Sequence, residues 1–229
     1  MPSRHLVLFD IDGTLLRSDG AGVAAMLRAF TMLHGDCGFS FEGTEIAGAL
    51  DAVLFARMMA KHGLPANDAT HTQFLETYRS ELLRALTPGR ARAMPGADQL
   101  ALTLRTKGAA TGLLTGNYEP TAFIKIRAAG IDTSHFPFGA FGSDGPTRRD
   151  LTPVALARAA AHHGRSFAPE LVTIIGDTPA DIDCAKAHGC RALGVATGPY
   201  STEQLRSCGA DLAVEDLSAT ESITRWILG

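Results

Sequence analysis

"LVLFDIDGTLL", residues 6–16, decides how this chain reads. Four apolar residues, Leu6 to Phe9, run straight into Asp10-Ile11-Asp12-Gly13-Thr14. An unbroken apolar run, without polar alternation, marks a strand buried on both faces of a parallel sheet. Asp10 follows that strand directly, at its C-terminal end, where open α/β sheets bind their ligands. While the chain stays extended, alternation puts Asp10 and Asp12 on roughly one side. Gly13 lets the backbone turn sharply or approach a ligand. A plain surface turn also uses Asp and Gly. The strand before this pair and Thr-Leu-Leu after it argue against a turn alone.

Three further runs have the same character: residues 109–114, 171–175 and 192–195. Helical patterns lie between them. "TAFIKIRAAG" (121–130) closes on a glycine, as helices often do. "TPVALARAAAHHG" (152–164) and "TPADIDCAKAHG" (178–189) each open with Thr-Pro and close with Gly, the order expected for cap, first turn and stop. Strands alternating with helices predict an α/β fold with a doubly wound parallel sheet. Residues 17–93 break the alternation. They carry helical patterns such as "AGVAAMLRAFTMLHG", "LDAVLFARMMAKHG" and "ATHTQFLETYRSELLRAL", with no strand run among them. A segment this long is not a loop. The expectation is a helical cap at 17–93 over an α/β core made of 1–16 and 94–229. The Pro/Gly-rich "TPGRARAMPG" (87–96) serves as the return linker.

Two other strand ends carry chemistry. In "LLTGN", Thr115, Gly116 and Asn117 follow a strand and precede a helix that starts near Glu119. Free N–H groups at a helix start and the Thr115 hydroxyl suit phosphate oxygens; the same three residues also make ordinary turns. In "GDTPADI", Asp177 follows its strand and Asp181 falls in the first helical turn. Thr178 and Asp181 fit a capping box, which is one reading of Asp181. That reading leaves Asp177 unexplained. Asp10 and Asp177 at neighbouring strand ends would form an oxygen-only site, the kind Mg²⁺ prefers. Clustered carboxylates need such a cation, or a proton, to coexist. Arg148 and Arg149, ahead of the 152–164 pattern, are the candidate basic residues.

Composition narrows the partners. The 229 residues are 45% hydrophobic, with a net charge of −3. That balance argues against nucleic acid or an anionic membrane. No stretch approaches a membrane span, and the N-terminal run is too short for a signal peptide. Cys37, Cys184, Cys190 and Cys208 lack zinc-type spacing. A cytoplasmic protein with reduced thiols is expected.

"FDIDGTLL", "LLTGN" and "GDTPADI", in this order and spacing, resemble the haloacid dehalogenase superfamily. The similarity is to members with a helical C1-type cap after the first motif, such as phosphoglycolate phosphatases and β-phosphoglucomutases. It extends over essentially the whole chain. The resemblance implies a phosphatase acting on a small-molecule phosphate ester, or alternatively a phosphomutase. It implies Asp10 as nucleophile, forming an aspartyl phosphate. Asp12 would protonate the leaving alcohol and then deprotonate the attacking water. Thr115, Gly116 and Asn117 would hold phosphate oxygens. Mg²⁺ would be bound by Asp10, Asp177 and the carbonyl of Asp12, with Asp181 direct or through water. For Asp12 to act as an acid its pKa must rise, which nearby carboxylates would promote. The family lysine before the last motif is missing: no Lys lies between Lys125 and Lys186. Arg148 or Arg149 must substitute, with Arg148 favoured. An acid at position 12 argues for phosphoester chemistry over dehalogenation. In the cap, Gly48 and Asp51 are the candidate specificity residues, unless they merely start a helix. Asp51 facing the site would disfavour strongly anionic leaving groups.

Overall fold

The computed structural model describes residues 3–229. The strand β1 (Leu6–Phe9) leads into a short β2 (Leu16–Arg17). Three helices follow with no strand between them: α1 (Ala21–His34), α2 (Asp51–Lys61) and α3 (Asp68–Ala85). After β3 (Arg92–Ala93) the chain alternates through α4 (Ala97–Thr106), β4 (Ala110–Leu114), α5 (Glu119–Ala128), β5 (Gly139–Ala140) and α6 (Arg148–His163). It ends with β6 (Val172–Gly176), α7 (Pro179–Lys186), β7 (Arg191–Val195), α8 (Thr202–Ser207), β8 (Leu212–Val214) and α9 (Thr220–Leu228).

Six strands form one parallel sheet in the order β5-β4-β1-β6-β7-β8. Every β1 side chain is fully buried, because both faces are covered. Leu6 and Leu8 point to the layer holding Leu151 and Ala155 of α6 and Ile182 of α7. Val7 and Phe9 point to the opposite layer, with Leu100 and Leu104 of α4, Ala122 and Ile126 of α5, and Ile223 and Ile227 of α9. Full burial of each such side chain stabilises the fold by about 1.5–3 kcal/mol. This is the doubly wound sheet that the apolar runs predict.

The helical insert has its own core. Phe30 of α1, Phe55 of α2 and Phe74 and Tyr78 of α3 pack together, with Phe30 and Phe74 centroids 4.5 Å apart. Tyr118, just before α5, and Ile124, on it, join the same cluster, so α5 is the shelf on which the insert rests. The two connections to the insert run side by side as the antiparallel β2–β3 pair, Leu16 opposite Ala93 and Arg17 opposite Arg92.

Two details differ from the sequence reading. The edge strands β5 and β8 are only two and three residues long, too short to show as apolar runs. Helix α6 starts at Arg148 and not near Pro153. Thr147 caps it in a box with Asp150, whose carboxylate accepts from the Thr147 N–H at 2.9 Å. Pro153 therefore sits inside the helix, where it cannot donate to the carbonyl four residues back. That carbonyl, on Arg149, instead accepts from His188 Nε2 at 2.8 Å. The vacated bond is replaced from α7's end of the chain, and so the proline is tolerated.

Candidate active site

Strand register assembles the site. Phe9 lies opposite both Leu113 of β4 and Ile175 of β6. Asp10, Thr115 and Asp177 therefore emerge together at the carboxyl edge of three adjacent strands. The Asp10 N–H still donates to the Ile175 carbonyl at 2.9 Å, which fixes its side chain at the strand's end. Gly13 has φ +84, and a Cβ there would run into the Asp177 carboxylate. Only glycine lets the turn after β1 pass this close.

Asp10, Asp177 and Asp181 each offer a carboxylate oxygen within 4.8 Å of the others, and all three are buried. Burial raises the Asp10 pKa to about 6, against the pull of Arg148 and with a push from Asp181. Burial also raises Asp177 to about 8, helped by Asp10 and Asp181. The donor set is all oxygen, and its excess negative charge asks for a hard cation. Among the described residues no side chain donates to Asp10 Oδ2 or Asp177 Oδ2. Both Asp181 oxygens are engaged. Oδ2 accepts from the Thr178 N–H at 3.0 Å and its hydroxyl at 2.6 Å, while Oδ1 accepts from Arg148 at 2.5 Å. The capping box therefore accounts for Oδ2, and Arg148 occupies Oδ1. The residues fit Mg²⁺, with Asp10 and Asp177 free to bind it directly and Asp181 better placed to act through water.

Of the two candidate arginines, Arg148 enters the site. It is 8% exposed and donates to Asp10 Oδ1 at 2.7 Å and to Asp181 Oδ1 at 2.5 Å. Its Nη1 also reaches the Gly48 carbonyl at 3.2 Å. Its Nε is buried with no partner among the described residues. Arg149 points away and pairs with Asp183 on the surface. Arg148 was expected to bind phosphate; here it bridges two carboxylates, which leaves Nε and one N–H of Nη1 without a partner among the described residues.

Asp12 turns away from the cluster. Its Oδ2 accepts from Asn117 Nδ2 at 2.9 Å and from Lys125 Nζ at 2.5 Å. Lys125 Nζ also donates to Asn117 Oδ1 at 2.5 Å. Burial would push Asp12 up, but the charge and hydrogen bond of Lys125 outweigh it and hold the pKa below the usual value. This reverses the expectation that neighbouring carboxylates would raise it: the nearest charge is a cation. Asn117, expected to hold phosphate, spends its side chain inside this triangle and on Thr115 Oγ1, at 2.9 Å. Thr115 Oγ1 accepts from Asn117 twice, which leaves its own proton free for an incoming oxygen. The Gly116 carbonyl accepts the Asp51 N–H at 2.7 Å and so ties the insert to the sheet edge.

Gly48 and Asp51 come to the same place from the insert. Gly48 has φ +74, and a Cβ would lie 2.9 Å from Ala180 Cβ and 3.0 Å from Thr178 Oγ1. Asp51 starts α2, and its Oδ2 accepts from the Tyr118 N–H at 3.1 Å. Burial raises its pKa to about 6, against the pull of Lys125. Between insert and sheet lies a cavity of about 620 Å³. Asp10, Asp12, Asp51, Asn117, Lys125 and Arg148 line it, with Val23, Met26 and Leu54 as apolar walls.

Sequence reasoning missed two contributors. Lys125 lies between Ile124 and Ile126 in "AFIKIRA", and a charge on the apolar face of the helix, away from Arg127, is the signal. The loop after β7, Thr197-Gly198-Pro199, also lines the cavity, and Thr197 Oγ1 donates to the Gly13 carbonyl. Its strand–Thr–Gly pattern repeats that of Thr115-Gly116.

The open parallel sheet thus gathers acids, a hydroxyl and two buried cations at its carboxyl edge, where such sheets bind their ligands. The comparisons with known proteins agree. The chain belongs to the haloacid dehalogenase-like hydrolase family, whose profile matches residues 7–186. It is 26% identical over 220 residues to the probable phosphatase IndB of Dickeya dadantii, covering 94% of this chain and 91% of that one. It is 27% identical to a phosphoglycolate phosphatase of Mesorhizobium japonicum, covering 89% and 87%. Among solved structures, a β-phosphoglucomutase of Clostridium difficile superposes with a TM-score of 0.71 at 16% identity, covering 97% and 96%. That last likeness speaks for the fold alone.

Proposed function

We propose that the protein is a Mg²⁺-dependent phosphatase that hydrolyses a small phosphomonoester through an aspartyl phosphate on Asp10. One observation carries this reading: the two aspartates of the first motif face different partners. Asp10 lies in the carboxylate cluster with Arg148, and Asp12 lies in the Lys125–Asn117 triangle. A nucleophile and a proton carrier need that division. Asp10 would attack phosphorus as the ester bond breaks, and the leaving oxygen would take a proton from Asp12. Water would then attack the phosphoryl group, give its proton back to Asp12, and free Asp10. Splitting the transfer this way is covalent catalysis. Bound Mg²⁺ would neutralise charge on the transferring group. Thr115, with its free proton, the Gly116 N–H and the unpaired N–H groups of Arg148 would donate to phosphate oxygens. Lys125 favours ionised Asp12, so the resting geometry serves the water step most directly.

The cavity size suits a small molecule. We place the helical cap at residues 17–93, hinged at the β2–β3 pair. Substrate choice falls to Gly48 and Asp51 on that cap. Phosphoglycolate-like esters are the first class to test, because relatives bear that name. A phosphomutase is the second reading, with a sugar hydroxyl in place of water; the same residues would serve it. Turnover of p-nitrophenyl phosphate with and without Mg²⁺, in wild type and Asp10→Asn, tests the reading. Activity that survives Asp10→Asn defeats it. Phosphate release against isomer formation from a sugar 1-phosphate separates the two alternatives.

A further inference from the structure

Lys125 lies outside the three strand-end motifs, and yet it makes the shortest side-chain contact to Asp12. It comes from the second turn of α5, a sheet-side helix, and its side chain is 6% exposed against 43% for Asp12. The ammonium is thus walled in behind the carboxylate, while the carboxylate looks into the cavity. Its two hydrogen bonds run to Asp12 Oδ2 and Asn117 Oδ1, and Asn117 Nδ2 closes the ring on the same Asp12 oxygen. Two donors therefore hold one oxygen. The other, Oδ1, has only the Ser18 hydroxyl among the described residues, at 3.5 Å. Asn117 is itself braced by Thr115 Oγ1 at 2.9 Å. A carboxylate pinned at Oδ2 presents Oδ1 in a fixed direction.

We infer that Lys125 is a positioning residue for Asp12. With Asn117 it aims Asp12 Oδ1 at the oxygen that receives or loses a proton. This rests on the reading of Asp12 as proton carrier. Lys125 acts from behind and does not hold the phosphoryl group.

The test separates the two half-reactions. The probe is 2,4-dinitrophenyl phosphate, whose leaving group needs no proton. Formation of the phosphoenzyme from it does not call on Asp12, but its hydrolysis does. For Lys125→Met, kcat/KM with this ester is expected within threefold of wild type. kcat should fall about 100-fold, the scale of a misplaced reacting group. Rapid mixing should show a burst of dinitrophenol close to one per site before slow turnover. With an alkyl phosphate, kcat/KM should fall as well. Lys125→Arg, which keeps a charged donor, should recover part of kcat. A kcat and kcat/KM that fall together on the aryl ester, with no burst, would overturn the inference. So would a weaker inhibition by inorganic phosphate, which would make Lys125 a phosphate ligand, or a variant indistinguishable from wild type. If wild type itself shows no Mg²⁺-dependent turnover, the phosphatase reading falls first; if only the Lys125 pattern fails, that reading stands.

Discussion

Replacing Arg148 by Met should unmask the electrostatic cost of the carboxylate cluster. The guanidinium is 8% exposed, and it bridges Asp10 and Asp181, whose side chains are 8% and 1% exposed. Methionine fills similar space without charge. Asp10, Asp177 and Asp181 would then face one another with no counter-charge among the described side chains of the cluster. Removing one partner of a buried ion pair costs about 3–5 kcal/mol. At this chain length each kcal/mol moves Tm by about 2–4 °C, so the metal-free protein should lose about 6–20 °C. Mg²⁺ supplies a replacement charge, so the variant should gain more from saturating Mg²⁺ than wild type does. Thermal melts and urea titrations in EDTA and in Mg²⁺ measure both effects. A loss below about 1 kcal/mol in EDTA, the range of an exposed pair, would refute the argument that Arg148 holds the cluster together.

Other consequences follow from the same geometry. Asp10 and Asp177 titrate near 6 and 8 in the fold, against about 3.9 unfolded, so the folded chain binds protons that the unfolded chain has released. Metal-free stability should therefore fall as pH rises from about 4 to 8, and the Tm gain from Mg²⁺ should be larger at pH 8 than at pH 5; a gain that shrinks with pH contradicts this. Gly48→Ala forces a side chain into a left-handed backbone against Ala180, which costs about 1–2 kcal/mol and should lower kcat/KM about 5–30-fold if the loop must hold this position during turnover. Unchanged kinetics would show that the contact of Gly48 with Thr178 and Ala180 is not needed. Asp51→Asn removes one like charge from the cavity and should favour anionic over neutral leaving groups roughly 10-fold, at an effective dielectric constant of about 20. A panel of phosphomonoesters with an unaltered order of preference would remove Asp51 from substrate choice.

The sheet was legible because its central strands are buried on both faces and so read as apolar runs. The edge strands were not, since Gly139–Ala140 holds only two residues and owes its pairing to β4 beside it. The acids were legible from their place directly after strands. Their partners were harder. Arg148 stood out because two arginines precede a helix pattern, but the helix start was misplaced by Pro153, a good first-turn residue that here sits further in. Lys125 escaped because it lies on a helix and not in a strand-end motif; only the fold brings α5 behind Asp12. The direction of the Asp12 shift could not be foreseen without that contact. Asp181 reads as a capping residue in the sequence, and only the fold shows that its second oxygen meets Arg148.

The central claim is that Asp10 carries the phosphoryl group. Rapid quenching of the Mg²⁺-loaded protein with p-nitrophenyl phosphate, followed by peptide mass analysis, tests it most directly. The account predicts one acid-stable, hydroxylamine-sensitive phosphoryl group on the peptide containing Asp10, absent from Asp10→Asn. A phosphoryl group on another residue, or full turnover by Asp10→Asn, would contradict it.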